Sequence, residues 1–229
     1  MYKRQGLVRG KNDKIDAKRI AIFIERNHQD FESWKPIGES VKAIKILLSQ
    51  RRFKIKQRTG LKQQNSDLKS VTFSKTTDKL IRINEKSIKE INKHIVEIET
   101  LIKKEINADH QLRTEINRIK TIPGIGDITA WTIAVKTEGF KRLCDPRKLA
   151  CFAGVVPFEQ QSGTSLRTKP RVSKMADMTL KSVLQMAAMR AVRMQNDLRI
   201  YYLKKVEEGK NKMSVLNAVR NKLIHIAMA

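Results

Sequence analysis

The sequence predicts a mainly α-helical protein with a long coiled-coil arm and a helical domain built around a turn of helix-hairpin-helix type. Three observations carry this. Apolar residues, isoleucine above all, recur at helical spacing through long stretches. The 78–119 stretch contains neither glycine nor proline. Between two helical patterns lies Ile122-Pro123-Gly124-Ile125-Gly126, a glycine-rich turn with Thr129-Ala130 just behind it. Three parts follow from the pattern, 1–40, 41–119 and 120–229.

In the first part, Asn12 or Asp13 is suited to cap a helix whose apolar positions are Ile15, Ile20, Ile22 and Phe23. Asp13 and Asp16 are three apart, so both fall near one face of its first turn. Two readings stand: acids opposing the positive end of the helix dipole, or two carboxylates sharing a divalent metal. Trp34-Lys35-Pro36 marks a break.

The second part opens with a basic helix over 41–66. It carries Lys42, Lys45, Arg51, Arg52, Lys54, Lys56, Arg58 and Lys62 and no acid. Such a run is either a solvated face or a phosphate-binding one. Gly60 is expected to interrupt it, and Ser70–Thr77 reads as a link. A single long helix is then expected over 78–119. Ile88, Ile91, Ile95, Ile98 and Ile102 step by 3, 4, 3 and 4, the seam of a coiled coil, and Leu112, Ile116 and Ile119 resume it. Glu105 and Asp109 fall on the seam between the two runs, where packing should loosen. The seam's partner is either the 41–70 helix folded back or the same helix of a second subunit.

In the third part, Gly124 and Gly126 allow torsions and close approaches that other residues resist. Amides at the start of the next helix, Thr129–Val135, would then point at a phosphate. The other reading is a tight helix-helix turn with no ligand. Trp131, Phe140, Leu143, Leu149, Phe152, Val155 and Val156 read as core. Residues 158–176 read as a loop or short hairpin, with hydroxyls Ser162, Thr164, Ser165, Thr168 and Ser173 among cations Arg167, Lys169, Arg171 and Lys174. Cations ease a hydroxyl toward its alkoxide and stabilise charge at phosphorus, but Ser162-Gly163 is also an ordinary turn pair. Two further helices are expected over 177–229, with methionine-rich filling read as core.

Composition narrows the partner. Among 229 residues, 48 Lys+Arg stand against 23 Asp+Glu, a formal charge of +25, and the isoelectric point is near 10.3. A surplus that large repels itself and calls for a polyanion, nucleic acid first. Cys144 and Cys151 form no CxxC pair and the four histidines are scattered, so neither a zinc site nor a disulfide framework is readable. There is no signal-peptide pattern and no run of 18 apolar residues. The expectation is a cytoplasmic protein with no membrane segment.

Taken together, these stretches resemble the transposases of the IS110 insertion-sequence family. Asp13-Lys14-Ile15-Asp16-Ala17 with Ile20-Ala21 resembles the family's last acidic motif, and Ile122-Pro123-Gly124-Ile125-Gly126 with Thr129-Ala130 resembles the start of its C-terminal transposase domain. Lys148 to Pro157, Ser162-Gly163 with Val172-Ser173-Lys174, Gly209-Lys210 and Asn221-Lys222-Leu223 follow in the family's order. The resemblance implies an RNase H-like domain with four acids, a coiled coil, a transposase domain with a catalytic serine, Mg²⁺, and a bridge RNA that guides target choice. It implies DNA as substrate and a homo-oligomer assembled through the coiled coil.

Carried over by position, Asp13 and Asp16 become the last two of the four acids and Ser162 the nucleophile, with Ser165 and Ser173 behind it. Gly124, Gly126, Arg167, Lys169, Arg171 and Lys174 become DNA-binding residues. The sequence departs from the family where only twelve residues precede Asp13, so the expectation for 1–40 is a remnant of the RNase H-like domain in a truncated chain. Met175-Ala176 stands where the family has glycine, and the chain ends at Ala229 with little beyond the last helix. The alternatives are a nucleic-acid-binding module without chemistry and a coiled-coil assembly protein.

Overall fold

The structure is a computed structural model that describes residues 12–30, 36–71, 74–162, 166–173 and 175–229, with backbone alone for 30, 71, 159–162, 166–169 and 171. The chain divides into two units, 1–36 and 37–229. The first unit carries α1 (Asp13–Asn27) and a 3-10 turn, His28–Asp30. Asn12 caps α1, its side chain accepting the Ile15 amide at 2.9 Å. Ile20, Ile22 and Ile24 of α1 are exposed.

The second unit begins with two long helices, α2 (Glu39–Val71) and α3 (Lys75–Ala108). Ser74 and Thr77 form a reciprocal capping box that starts α3. The two helices run antiparallel. Arg51 pairs with Glu99, Arg58 donates to Asn92, and Asn84 donates to Asn65, so numbers rise on α2 as they fall on α3. The isoleucine seam of α3 therefore packs on the folded-back α2, the first of the two partners the spacing allows. Gly60 does not interrupt α2: it stands in open space within a continuous helix. Its small propensity cost is spread over a 33-residue helix anchored along its length by α3.

The expected single helix over 78–119 is two. Asp109 ends α3 in extended torsions, and its carboxylate accepts the Leu112 amide at 3.0 Å to start α4 (His110–Lys120). A short acid placed before an apolar run competes with the helix as an N-cap. Seam residues on both sides stay inside: Ile95, Ile102 and Ile106 on α3, and Leu112, Ile116 and Ile119 on α4.

Beyond α4, α5 (Asp127–Lys136) is apolar on every side, and Thr129 to Ala134 are all buried. A helix of that kind belongs at the centre of its unit. It packs on α2, α4 and α7 (Met178–Ala191). A short α6 (Pro146–Phe152) leads into an antiparallel hairpin, β1 (Pro157–Ser162) and β2 (Leu166–Val172). The hairpin was one of the two forms expected for 158–176. The last stretch holds three helices rather than two: α7, α8 (Asp197–Glu207) and α9 (Lys212–Ala227). Asn196 accounts for the added break, since its side chain accepts the Leu198 and Arg199 amides and starts a new helix. α9 packs on α6, α7 and α8.

Candidate nucleic-acid interface

Lys120, Asp127 and the six residues between α4 and α5 define the glycine-rich turn. The Ile125 amide donates to the Ile122 carbonyl at 3.0 Å. Pro123 and Gly124 occupy the middle of this four-residue turn, and Gly124 has φ +92. Proline followed by a positive φ is the type II pattern, which only glycine satisfies without strain. The second demand on Gly124 is packing: a Cβ there would meet the Ala187 carbonyl oxygen of α7 at 2.4 Å. Gly124 is thus required by its turn and by α7. Gly126 differs. It opens α5 in extended torsions with no side-chain cap, and nothing lies within 4 Å of a Cβ placed on it. Of the two glycines, Gly126 is the one left open for a ligand. Lys120 reaches the Asp127 carboxylate at 2.5 Å beside it.

The hairpin is rooted by contacts from α5, α6, α7 and α9. Gly154, at φ +64, is the left-handed residue ending α6, and the Val155 amide closes back to Ala150 at 3.1 Å. Ala176, beyond β2, fills the space beside Gly154. The Asp177 amide donates to the Phe152 carbonyl at 2.8 Å. Asn217 of α9 donates to the Val155 carbonyl at 2.7 Å. The Asp177 carboxylate caps α7 through the Leu180 amide at 2.7 Å and pairs with Lys136 of α5 at 2.5 Å. Burial acts to raise the Asp177 pKa, but the Lys136 and backbone bonds outweigh it and hold it below its ordinary value. These are helix caps and small-residue contacts; their signal in sequence is the Asp before Met178 and the Gly-Val pair after Phe152.

Ser162 is the last residue of β1 and is paired in register with Leu166. Arg167 is opposite Gln161 and Arg171 opposite Phe158, with a bulge between Phe158 and Gln160. Ser162 and Arg167 thus occupy adjacent rungs of one short ladder, and Lys169 lies on the same strand. Gly163, Ser165 and Lys174 lie outside the described residues. Ser173 is half-buried and its hydroxyl accepts the Met175 amide at 3.1 Å, the bond of a turn residue.

The eight cations of the basic stretch divide by partner. Arg51 is tied to Glu99 at 2.7 Å and Arg58 to Asn92 at 2.9 Å. Lys42 pairs with Glu39 at 2.7 Å. Lys45, Arg52 and Lys56 are exposed, and Arg52 donates to Thr179 of α7.

In the first unit, Asp13 and Asp16 do share the first turn of α1. Asp16 faces Arg19 at 3.5 Å and Asp13 is exposed. Among the described residues no group of three metal-binding side chains exists. Mg²⁺ needs a near-octahedral set of oxygens, and this pair alone does not fit it, so no chemical step is derived through a metal.

The region that holds the turn, the hairpin and Asp177 is also the region that comparison with known proteins picks out. Residues 116–203 match the profile described as Transposase IS116/IS110/IS902 family. Over that stretch the chain is similar to that family. Similar proteins include the pilin gene-inverting proteins of Moraxella bovis and Moraxella lacunata, each 27% identical over 227 residues and 97% of this chain. The transposase for insertion sequence element IS1111A of Coxiella burnetii is 27% identical over 122 residues, 51% of this chain. The chain spans 66% of the length of the Moraxella proteins and 33% of the Coxiella one. The family match runs from α4 into α8, so the glycine-rich turn, the hairpin and the Asp177 contacts all fall in the matched stretch. No helix among the described residues is long and apolar enough to cross a membrane.

Proposed function

We propose that the chain acts on DNA as a recombinase of an insertion sequence, with Ser162 as nucleophile. The observation that supports this most is the hairpin inside the family-matched region, with Ser162 ending one strand and Arg167, Lys169 and Arg171 along the other. In the proposed step the Ser162 oxygen attacks a backbone phosphorus. A phosphoserine ester bond forms, one phosphorus–oxygen bond of the DNA strand breaks, and the serine proton ends on the released hydroxyl. Attack by a strand hydroxyl on the ester reverses the exchange and frees the serine. Arg167, Lys169 and Arg171 would stabilise charge at phosphorus. Gly126 and the open start of α5 would grip the backbone of the same substrate. A bridge RNA and a homo-oligomer belong to the same proposal through family resemblance.

Denaturing gels of the protein incubated with labelled insertion-sequence ends test the step. A protein–DNA adduct present in the wild type and in Ser165→Ala, and absent in Ser162→Ala, is the expected outcome. An adduct that survives Ser162→Ala removes the assignment. The binding-only reading draws on the incomplete acid pair of α1, and it predicts no adduct from any variant alongside intact DNA binding.

A further inference from the structure

A groove of about 1080 Å³ runs between α2, α5 and α7, all within the second unit. Its α2 wall is a single helical stripe. Lys45, Ser49, Arg52 and Lys56 alternate along it with Leu48 and Ile55, at spacings of three and four. The floor is aliphatic, made by Ile128 and Val135 of α5 and Val183 of α7 with Leu48 and Ile55. Arg52 reaches across to Thr179, and the exposed Ser49 and Ser182 hydroxyls also line the groove. The acids near it are engaged: Glu138 pairs with Arg142 at 3.1 Å and Asp177 with Lys136 at 2.5 Å. The result is an apolar trough with an uncompensated cationic lip.

We infer that this groove binds a single nucleic-acid strand, with phosphates along Lys45, Arg52 and Lys56 and bases laid on the apolar floor. A row of cations alone would suit any polyanion. The floor is what selects: a duplex keeps its base faces stacked inside and offers only phosphates, whereas a single strand can bury its bases against apolar side chains. The site is separate from Ser162, and the inference does not require the serine to do chemistry. Ile128 and Thr129, which line it, belong to the helix that Gly126 opens, so a strand gripped at the turn could continue into the groove.

Fluorescence anisotropy with the full chain tests it. The probes are oligo(dT) and oligo(rU) of roughly twelve nucleotides, within the usual range of single-strand site sizes, and a hairpin duplex of equal charge. The triple variant Lys45→Gln/Arg52→Gln/Lys56→Gln should weaken single-strand binding by about tenfold or more and lower the salt slope by about two, the loss of three phosphate contacts. The matched variant Lys86→Gln/Lys89→Gln/Lys103→Gln, on exposed positions of α3, should change it by less than about threefold. Ile55→Gln should weaken single-strand binding while leaving duplex binding unchanged. Thermal melting of each variant confirms that the fold persists. The dT and rU arms report whether the strand taken is DNA or RNA. Equal losses from the two triple variants would overturn the inference, as would equal loss of duplex and single-strand binding. An Ile55→Gln variant that binds like wild type, or an acidic amphipathic peptide that displaces nothing yet binds the groove, would also overturn it. Absence of any adduct from the wild-type chain with groove binding intact would count against the nucleophile alone.

Discussion

A Cβ on Gly124 would lie 2.4 Å from the Ala187 carbonyl oxygen and 2.8 Å from the Ala191 Cβ. The glycine-rich turn is thereby pressed against α7, and its two glycines do different work. Gly124→Ala combines a left-handed torsion with a clash against backbone that cannot swing aside, and it should destabilise the protein by about 2 kcal/mol or more. Gly126→Ala meets open space at φ −99 and should change stability by less than about 1 kcal/mol. Chemical denaturation separates the two. If the turn grips a strand, Gly126→Ala alone should lower nucleic-acid affinity without lowering stability.

Gly154 and Ala176 form the second close pair. A Cβ on Gly154 would lie 2.2 Å from the Ala176 Cβ and 3.3 Å from a Val172 methyl. Gly154→Ala should therefore be destabilising by about 1–3 kcal/mol. Ala176→Gly in the same chain should recover part of that loss, leaving the cost of φ +64. A double-mutant cycle measures the recovery. Additive effects of the two substitutions would show that the pair is not the contact that roots the hairpin.

Element existence was legible wherever periodicity or cap chemistry was strong. The isoleucine steps predicted α3 and α4, and Pro123-Gly124 predicted the turn. Three points were not legible. Asp109 sits on the apolar period but prefers to cap, so one expected helix became two. Gly60 signals a break that a long packed helix overrides. The partner of the α3 seam is a tertiary fact that no spacing decides. At the site, the anchoring of the hairpin escaped notice because the Asp177 amide, Gly154 and Asn217 act on groups far away in sequence. The groove escaped because its α2 stripe reads as one basic face, solvated or phosphate-binding, and shows no apolar floor until α5 and α7 are set beside it.

Asp177 should give the second unit a measurable acid sensitivity. Its side chain is 17% exposed and holds Lys136, the Leu180 amide and, through its own amide, Phe152. Its folded pKa is depressed, so the unfolded state takes up the proton first as pH falls. The stabilisation is complete above the unfolded carboxylate pKa of about 3.9 and is lost as pH falls through the lower folded value. Asp177→Asn should lower stability by about 1–2 kcal/mol at neutral pH, and the gap to wild type should close in that acid window. A gap that stays constant down through it would mean the Lys136 pair contributes nothing.

Arg220 of α9 is 9% exposed, and its Nε has no hydrogen-bond partner. No carboxylate pairs with it among the described residues, and burial pushes its pKa below the ordinary guanidinium value. A cation taken out of water without compensation costs stability, and at neutral pH the guanidinium keeps its charge. Arg220→Met preserves most of the volume and removes that cost, so the melting temperature should rise, with a gain of about 1 kcal/mol or more by denaturant titration. A lower melting temperature would show that Arg220 contributes packing that outweighs its unpaired charge.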